Sequence, residues 1–309
     1  MTRISSYNQF YSSAAAITDS QANLAKIQEQ ASTQKVAGDL KGFGSQTGQL
    51  LSAKAYADRL ERRLETINAL KGRADVEAAA FTHAADAVKQ ARDAIGTAVS
   101  TQNAAGLRAT LENVLSVLVT SANTRYGDQA VFGGIAGDAD PFVKTTLDNL
   151  ATAGTAGADS FWSETGAAKA VVVEDGRTLK LGETAETLFR PLVEFIRDVR
   201  IWENGNAPLT GKLTTAQSDY LKTLMPQIAQ LQSNLTDQQG IAGITAKQID
   251  DVALSVEAQR DVFSTAIDDQ ENVNLAEVAT KLAAAQTQYQ ASASIFSQMR
   301  NLNLLQYLT

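Results

Sequence analysis

The chain has 309 residues, of which 44% are hydrophobic, 6% aromatic and 20% charged, with no cysteine, one histidine and a net charge of −7. That composition excludes disulfides, thiolate or histidine-rich metal sites and the basic footprint of a general nucleic-acid binder. No apolar run approaches the roughly 18 residues of a membrane-spanning helix, so no membrane insertion is expected. Abundant alanine, scarce aromatics and four prolines point to thin helical packing rather than a bulky core or disorder.

The opening "MTRISSYNQFYSSAAAITDS" has one Arg and no continuous apolar core, unlike a secretory signal peptide. Ile4, Tyr7, Tyr11, Ile17, Leu24 and Ile27 supply the apolar positions of a weakly patterned N-terminal helix. "GFGSQTG", Gly42 to Gly48, has the first two glycines of a dinucleotide fingerprint. No strand precedes it and the third glycine is misplaced, so it is expected to be a flexible joint.

From Leu50, steps of three and four residues give Ala53, Ala57, Leu60, Leu64, Ile67, Lys71, Ala74, Ala78, Phe81, Ala85, Val88, Arg92, Ile95 and Val99. Only Lys71 and Arg92 interrupt this seam, whose 3.5-residue period predicts a long coiled-coil helix, with fifty residues extending roughly 75 Å. Their aliphatic stems can cover apolar surface while the charges reach outward. His83 beside this seam has no catalytic or metal-binding companion and is expected on the helix surface. A second helix follows "TQNAAG", with Leu107, Leu111, Val114, Leu118 and Ala122 on one face.

Helical periodicity vanishes over residues 127–185, where "AVVVEDGRTLKL" predicts a β-hairpin turning at Asp175-Gly176. A helix with Leu188, Leu192, Phe195 and Val199 leads back, Pro191 falling in its first turn or two. The seam resumes at Leu221, Leu224, Ile228, Leu231, Leu235, Gln238, Ala242, Thr245, Ile249, Val252, Val256, Gln259, Phe263 and Ala266. Pro226, Gly240 and Gly243 inside this run predict a kink or break. Asn234-Leu235-Thr236 fits a glycosylation acceptor, which a seam helix should hide. "DDQENVN" marks a joint; its Asp268 to Glu271 lack the spacing of a calcium loop. After it, Leu275, Val278, Leu282, Ala285, Tyr289, Ser292, Phe296 and Met299 define a last helix, with Asn274 and Glu277 as a capping box.

The expected fold is mainly α: a long antiparallel helical bundle or coiled-coil rod formed by both chain halves, with a small β-containing inserted domain. Its segments are an N-terminal helical assembly segment (1–45), the first half of the rod (46–130), a β-rich outward insert (131–185), the second half of the rod (186–272) and a C-terminal helical assembly segment (273–309). No nucleophile, base and oxyanion donor form a constellation, so a non-enzymatic chain without cofactor or metal is expected.

The stretch "NLAEVATKLAAAQTQYQASASIFSQMRNLNLLQYL" is similar to the C-terminal ends of bacterial flagellins and their relatives. "ITDSQANLAKIQEQASTQKVAGDL" resembles the matching N-terminal opening. Ser32-Thr33-Gln34 stands there in place of Ser-Thr-Gly, and the usual Asp- and Pro-containing segment is missing. "ANTRYGDQAVFGGIAGDADPF", Ala122 to Phe142, and the finish "LNLLQYLT" resemble the hook–filament junction branch, hook-associated protein 3, more than flagellin. The resemblance implies an extracellular flagellar component exported unfolded through the flagellar type III apparatus without a cleaved signal. It implies partnership with further copies of itself, another hook-associated protein, flagellin and an export chaperone. The assembly interface is then expected at Ile17, Leu24, Ile27, Leu275, Val278, Leu282, Tyr289, Phe296, Met299, Leu304 and Leu305. Two alternatives stay open: a divergent flagellin forming the filament itself, or a surface protein whose insert stacks a ligand on Trp162 or Trp202.

Overall fold

The computed structural model describes residues 2–163, 166–174 and 177–305, leaving out the side chains of 2–7, 9, 173, 174, 177 and 301–305. Its helices are α1 (Thr2–Thr33), α2 (Thr47–Thr101), α3 (Leu107–Ala122), α4 (Leu147–Gly157), α5 (Ala185–Gly205), α6 (Thr215–Glu271) and α7 (Leu275–Leu305). The strands β1 (Arg125–Tyr126) and β2 (Gln129–Ala130) form one antiparallel pair, and β3 (Ala170–Glu174) and β4 (Arg177–Lys180) another. The chain is mainly α, as the periodicity requires. It divides into two compact units, one of Met1–Glu61 with Glu257–Thr309 and one of Arg62–Val256.

In the Arg62–Val256 unit, α2 and α6 run antiparallel. Lys71 Nζ lies 2.6 Å from Asp250 Oδ1, Gln239 Nε2 donates to Thr82 Oγ1 at 3.2 Å, and Gln102 Nε2 donates to Ser218 Oγ at 3.0 Å. Arg92 Nη1 donates to Gln232 Oε1 at 2.8 Å. The two charges that interrupt the α2 seam are thus exposed heads reaching across to α6. Around these charges α2 buries a wide face, Ala80, Phe81, Ala84, Ala87, Val88, Ala91, Ile95 and Ala98, because α3 and α5 share its core. Phe81 meets Phe132 edge-on at 5.5 Å and Phe132 meets Phe189 at 5.3 Å, the aromatic centre of this core. The α3 stripe is buried as patterned, and His83 is exposed.

α6 is continuous through Pro226, Gly240 and Gly243, contrary to the expected break. Pro226 lies on the exposed face, where the Lys222 carbonyl that loses its helical donor can bond water. Leu221, Leu224, Ile228 and Leu235 on the opposite face bind the helix into the core and override the local propensity. Asn234 is exposed rather than hidden, its Oδ1 accepting from Gln230 Nε2 at 2.9 Å.

The insert is less β-rich than its composition suggested. The hairpin pairs Ala170 with Lys180, Val171 with Leu179 and Val172 with Thr178, then bulges before Glu174 and Arg177. Its turn, Asp175-Gly176, lies outside the described residues. The stretch before the hairpin contains α4, which the sequence did not announce. Thr146 Oγ1 caps it by accepting from Asn149 N at 3.2 Å, and Leu147, Leu150 and Ala151 are its buried anchors. Asp148 in its first turn accepts from Arg200 Nε at 2.7 Å and from Arg108 Nη2 at 2.9 Å. The Arg200 hydrogen bond above all holds that carboxyl below the usual carboxylate range. Pro191 sits in the second turn of α5, which starts at the Thr184 cap.

Gly240 and Gly243 weaken α6 without serving a close approach, since a Cβ at either position would meet nothing within 4 Å. Gly240→Ala and Gly243→Ala should each raise stability by about 1 kcal/mol in urea unfolding. An unchanged or lowered midpoint would mean that α6 is not helical there in solution.

Candidate assembly interface at the paired chain ends

Both chain ends belong to one unit, in which α1 packs antiparallel on α7. Phe10 meets Phe296 with ring centroids 5.2 Å apart. Ser13 Oγ donates to Met299 Sδ at 3.2 Å, and the Ser20 and Ser292 hydroxyls lie 3.3 Å apart. Further along, Ile27, Val278 and Ala285 are buried together, flanked by Leu24, Ala31, Val273 and Leu282. The stripe on α1 is therefore Phe10, Ser13, Ile17, Ser20, Leu24, Ile27 and Ala31, a regular three-four alternation in which no residue is exposed. Sequence reasoning missed its regularity because serines occupy two of its slots. Tyr11, an expected apolar position, is 57% exposed.

Of the residues expected at the interface, Ile27 and Val278 are buried and Ile17, Leu24, Leu282, Tyr289, Phe296 and Met299 are half-buried. Leu275 is 51% exposed. The side chains of Leu304 and Leu305 lie outside the described residues, as do those of Ile4 and Tyr7. The stripe of α7 is thus filled first by the chain's own other end. The opposite faces of α1 and α7 expose Ala15, Ala16, Ala22 and Ala25, and Ala276, Ala279, Ala283 and Ala284.

A polar knot holds the start of this pair. Val36 N donates to the Glu271 carbonyl at 2.8 Å and Val273 N to the Gln34 carbonyl at 3.0 Å, with Lys35 opposite Asn272. Gln30 Nε2 adds a bond to the Val36 carbonyl at 2.7 Å. The Glu271 carboxylate pairs closely with Lys54 of α2 and, at 3.8 Å, with Lys35. Asn274 Oδ1 caps α7 by accepting from Ala276 N at 3.0 Å. The expected capping box is incomplete: Glu277 turns to Lys281 at 2.7 Å, one helical turn on. The expected flexible joint is an ordered 3₁₀ turn, Leu40–Gln46, capped by Asp39 Oδ1 accepting from Gly42 N at 3.0 Å.

The Ala122 to Phe142 stretch is a built turn in the other unit. Asn123 brackets the Phe142 backbone, its Nδ2 donating to the carbonyl at 2.7 Å and its Oδ1 accepting from the N–H at 2.9 Å. Arg125 gathers the Asp138 carbonyl at 3.2 Å and the Asp140 carboxylate at 3.0 Å. Gly133 is needed for close packing, because a Cβ there would lie 3.0 Å from Ala130 Cβ and from Gly137 Cα. Trp162 packs edge-on against Phe142 at 4.6 Å, and Trp202 stacks on Tyr220 at 4.0 Å. Among the described residues, no group of three or more acidic, His or Cys side chains could hold a metal, and no helix is long and apolar enough to cross a membrane.

Residues 225–308 match the family described as the bacterial flagellin C-terminal helical region, which takes in most of α6 and all of α7. That match takes in 84 of the chain's 309 residues. Its fold is similar to that of a candidate flagellar hook-associated protein from Vibrio parahaemolyticus, with a TM-score of 0.59 and 14% identity over 76% of this chain and 99% of the other. It is also similar to FlgL of Bacillus cereus, with a TM-score of 0.53 and 14% identity over 71% and 98%. No curated protein matches the sequence.

Gln34, at the turn that follows α1, adopts the left-handed conformation, φ +58°. A side chain there costs about 1 kcal/mol. Gln34→Gly should therefore raise the stability of the paired ends by about that amount, read as slower amide exchange in α1 and α7. Leu282→Asp, which puts a charge against Leu24 and Ile27, should loosen α1 and α7 by about 2 kcal/mol on the same readout. Exchange within 107–122 and 185–205 should stay unchanged.

Proposed function

We propose that this chain is a structural, non-enzymatic component of the bacterial flagellum, of the hook–filament junction type, which assembles through its paired terminal helices. The observation that carries the proposal is the α1–α7 pair: both chain ends share one seam, and the seam is thin. Among the described residues its buried apolar cluster has three members, Ile27, Val278 and Ala285. Full burial of a Val or Ile side chain contributes about 1.5–3 kcal/mol, little for two helices of 32 and 31 residues. The exposed alanines on the outer faces let another helix approach closely, and Tyr11, Leu275 and Ile295 remain available for burial. Neighbouring copies, another hook-associated protein and flagellin subunits supply such surfaces. An export chaperone would cover them beforehand, and passage through the type III apparatus would deliver the chain outside the cell.

The junction type is favoured over filament-forming flagellin by the Asn123–Phe142 bracket and its glycines, and by the hook-associated proteins whose fold this chain shares. Ligand stacking on the insert is disfavoured because Trp162 and Trp202 already pack on Phe142 and Tyr220.

Deleting 275–309 should leave a folded 62–256 unit that cannot enter flagella; incorporation of the truncated chain would refute the interface. Electron microscopy of the purified full chain separates the two flagellar roles. Rings or short stacks are expected, and long filaments grown from this chain alone would instead identify a flagellin.

A further inference from the structure

The Arg62–Val256 unit holds a buried acid that neither its core nor the assembly proposal uses. Glu77 lies on the apolar face of α2 and is 7% exposed. It lines a cavity of about 170 Å³ closed by the segment that leads from β4 into α5. That segment approaches as closely as backbone can. A Cβ on Gly182 would lie 2.3 Å from Glu77 Oε1, and Gly182 itself has φ +67°. Arg73, one turn earlier on α2, does not neutralise the acid by an ion pair within 4 Å. Its Nη2 donates closely to the Val131 carbonyl, and its Nη1 is buried without a partner. The other charges at the cavity, Lys180 and Glu183, pair with each other. α6 brings only uncharged side chains to it, Gln238 and Thr245 among them.

We propose that Glu77 is a proton-operated latch: with its carboxyl protonated, the 181–184 segment closes on α2, and with the carboxyl ionised the segment opens to hydrate it. A neutral acid needs no counter-ion in an apolar wall, whereas an anion there demands water or a paired cation. Burial pushes the Glu77 pKa up, against the smaller downward pull of Arg73. The closed state thus binds the proton more tightly than the open one. Its added stability is complete below the pKa of the hydrated carboxyl and is lost as pH rises to the higher pKa of the closed form. The latch stands independently of the flagellar role.

Two amides report the opening: Leu181 N, bonded to the Lys169 carbonyl at 2.7 Å, and Ala185 N, bonded to the Phe132 carbonyl at 2.9 Å. Exchange at both, corrected for the intrinsic effect of pH, should accelerate as pH rises, by up to about tenfold per pH unit between the two pKa values. In Glu77→Gln, which keeps the neutral shape, the corrected rates should stay level. A flat profile in the unaltered chain, or the same slope in the variant, would overturn the latch. Should the variant not fold, carboxyl carbon NMR of the unaltered chain decides. Titration of Glu77 above the ordinary glutamate range supports the latch, and titration at or below it, as for an anion stabilised by Arg73, excludes it.

Discussion

The structure depends on a narrow apolar stripe that no single helix can satisfy. An isolated helix with such a stripe is marginal in water, because its own hydrogen bonds scarcely offset the ordering of its backbone. Antiparallel pairing solves this only when the partners match in length. α1 and α7 have 32 and 31 residues, and α2 and α6 have 55 and 57. Matched lengths leave few turns of stripe without a partner. They also explain why both chain ends belong to one unit: the antiparallel partner of the first helix is the last.

Small apolar side chains alone would let such pairs slide, since one alanine fits opposite another at many registers. Polar residues at seam positions remove that freedom. Lys71 against Asp250 and Arg92 against Gln232 set α2 on α6 in one unit. Ser20 against Ser292 and the knot at Glu271 set α1 on α7 in the other. Exposed ion pairs add little stability. Their value lies in making the alternative registers worse, where these bonds across the seam would be lost.

The long helices were legible because their period is sustained, and a repeat held over many turns outweighs one proline on a water-facing side, as at Pro226. The hairpin was legible from Val171, Val172 and the alternation after its turn. α4 was not, since its 11 residues are mostly Leu, Ala, Thr and Gly and owe their order to a Thr146 cap and to Asp148 between two arginines. Nothing local encodes those arginines, which come from Arg108 and Arg200. The α1 stripe was half hidden for a related reason: Ser13 and Ser20 look like surface residues until Met299 and Ser292 stand opposite them. Non-local polar partners are what periodicity cannot display.

The two units spend the same sparse set of large side chains differently. Phe81, Phe132, Phe142 and Phe189 are all fully buried in the Arg62–Val256 unit, which therefore has a core able to hold its fold. The unit with the chain ends keeps its aromatic pairs, Phe10 with Phe296 and Tyr56 with Phe263, half-buried, and the buried cluster between α1 and α7 is aliphatic and small. Bulky side chains at α1 and α7 would make that unit self-sufficient, but they would hold neighbouring helices at a distance. Alanine gives up part of the unit's own stability and leaves room for close approach. A unit so built gains most from burial when other helices reach it, which is the physical ground for proposing assembly at the ends and not at the insert.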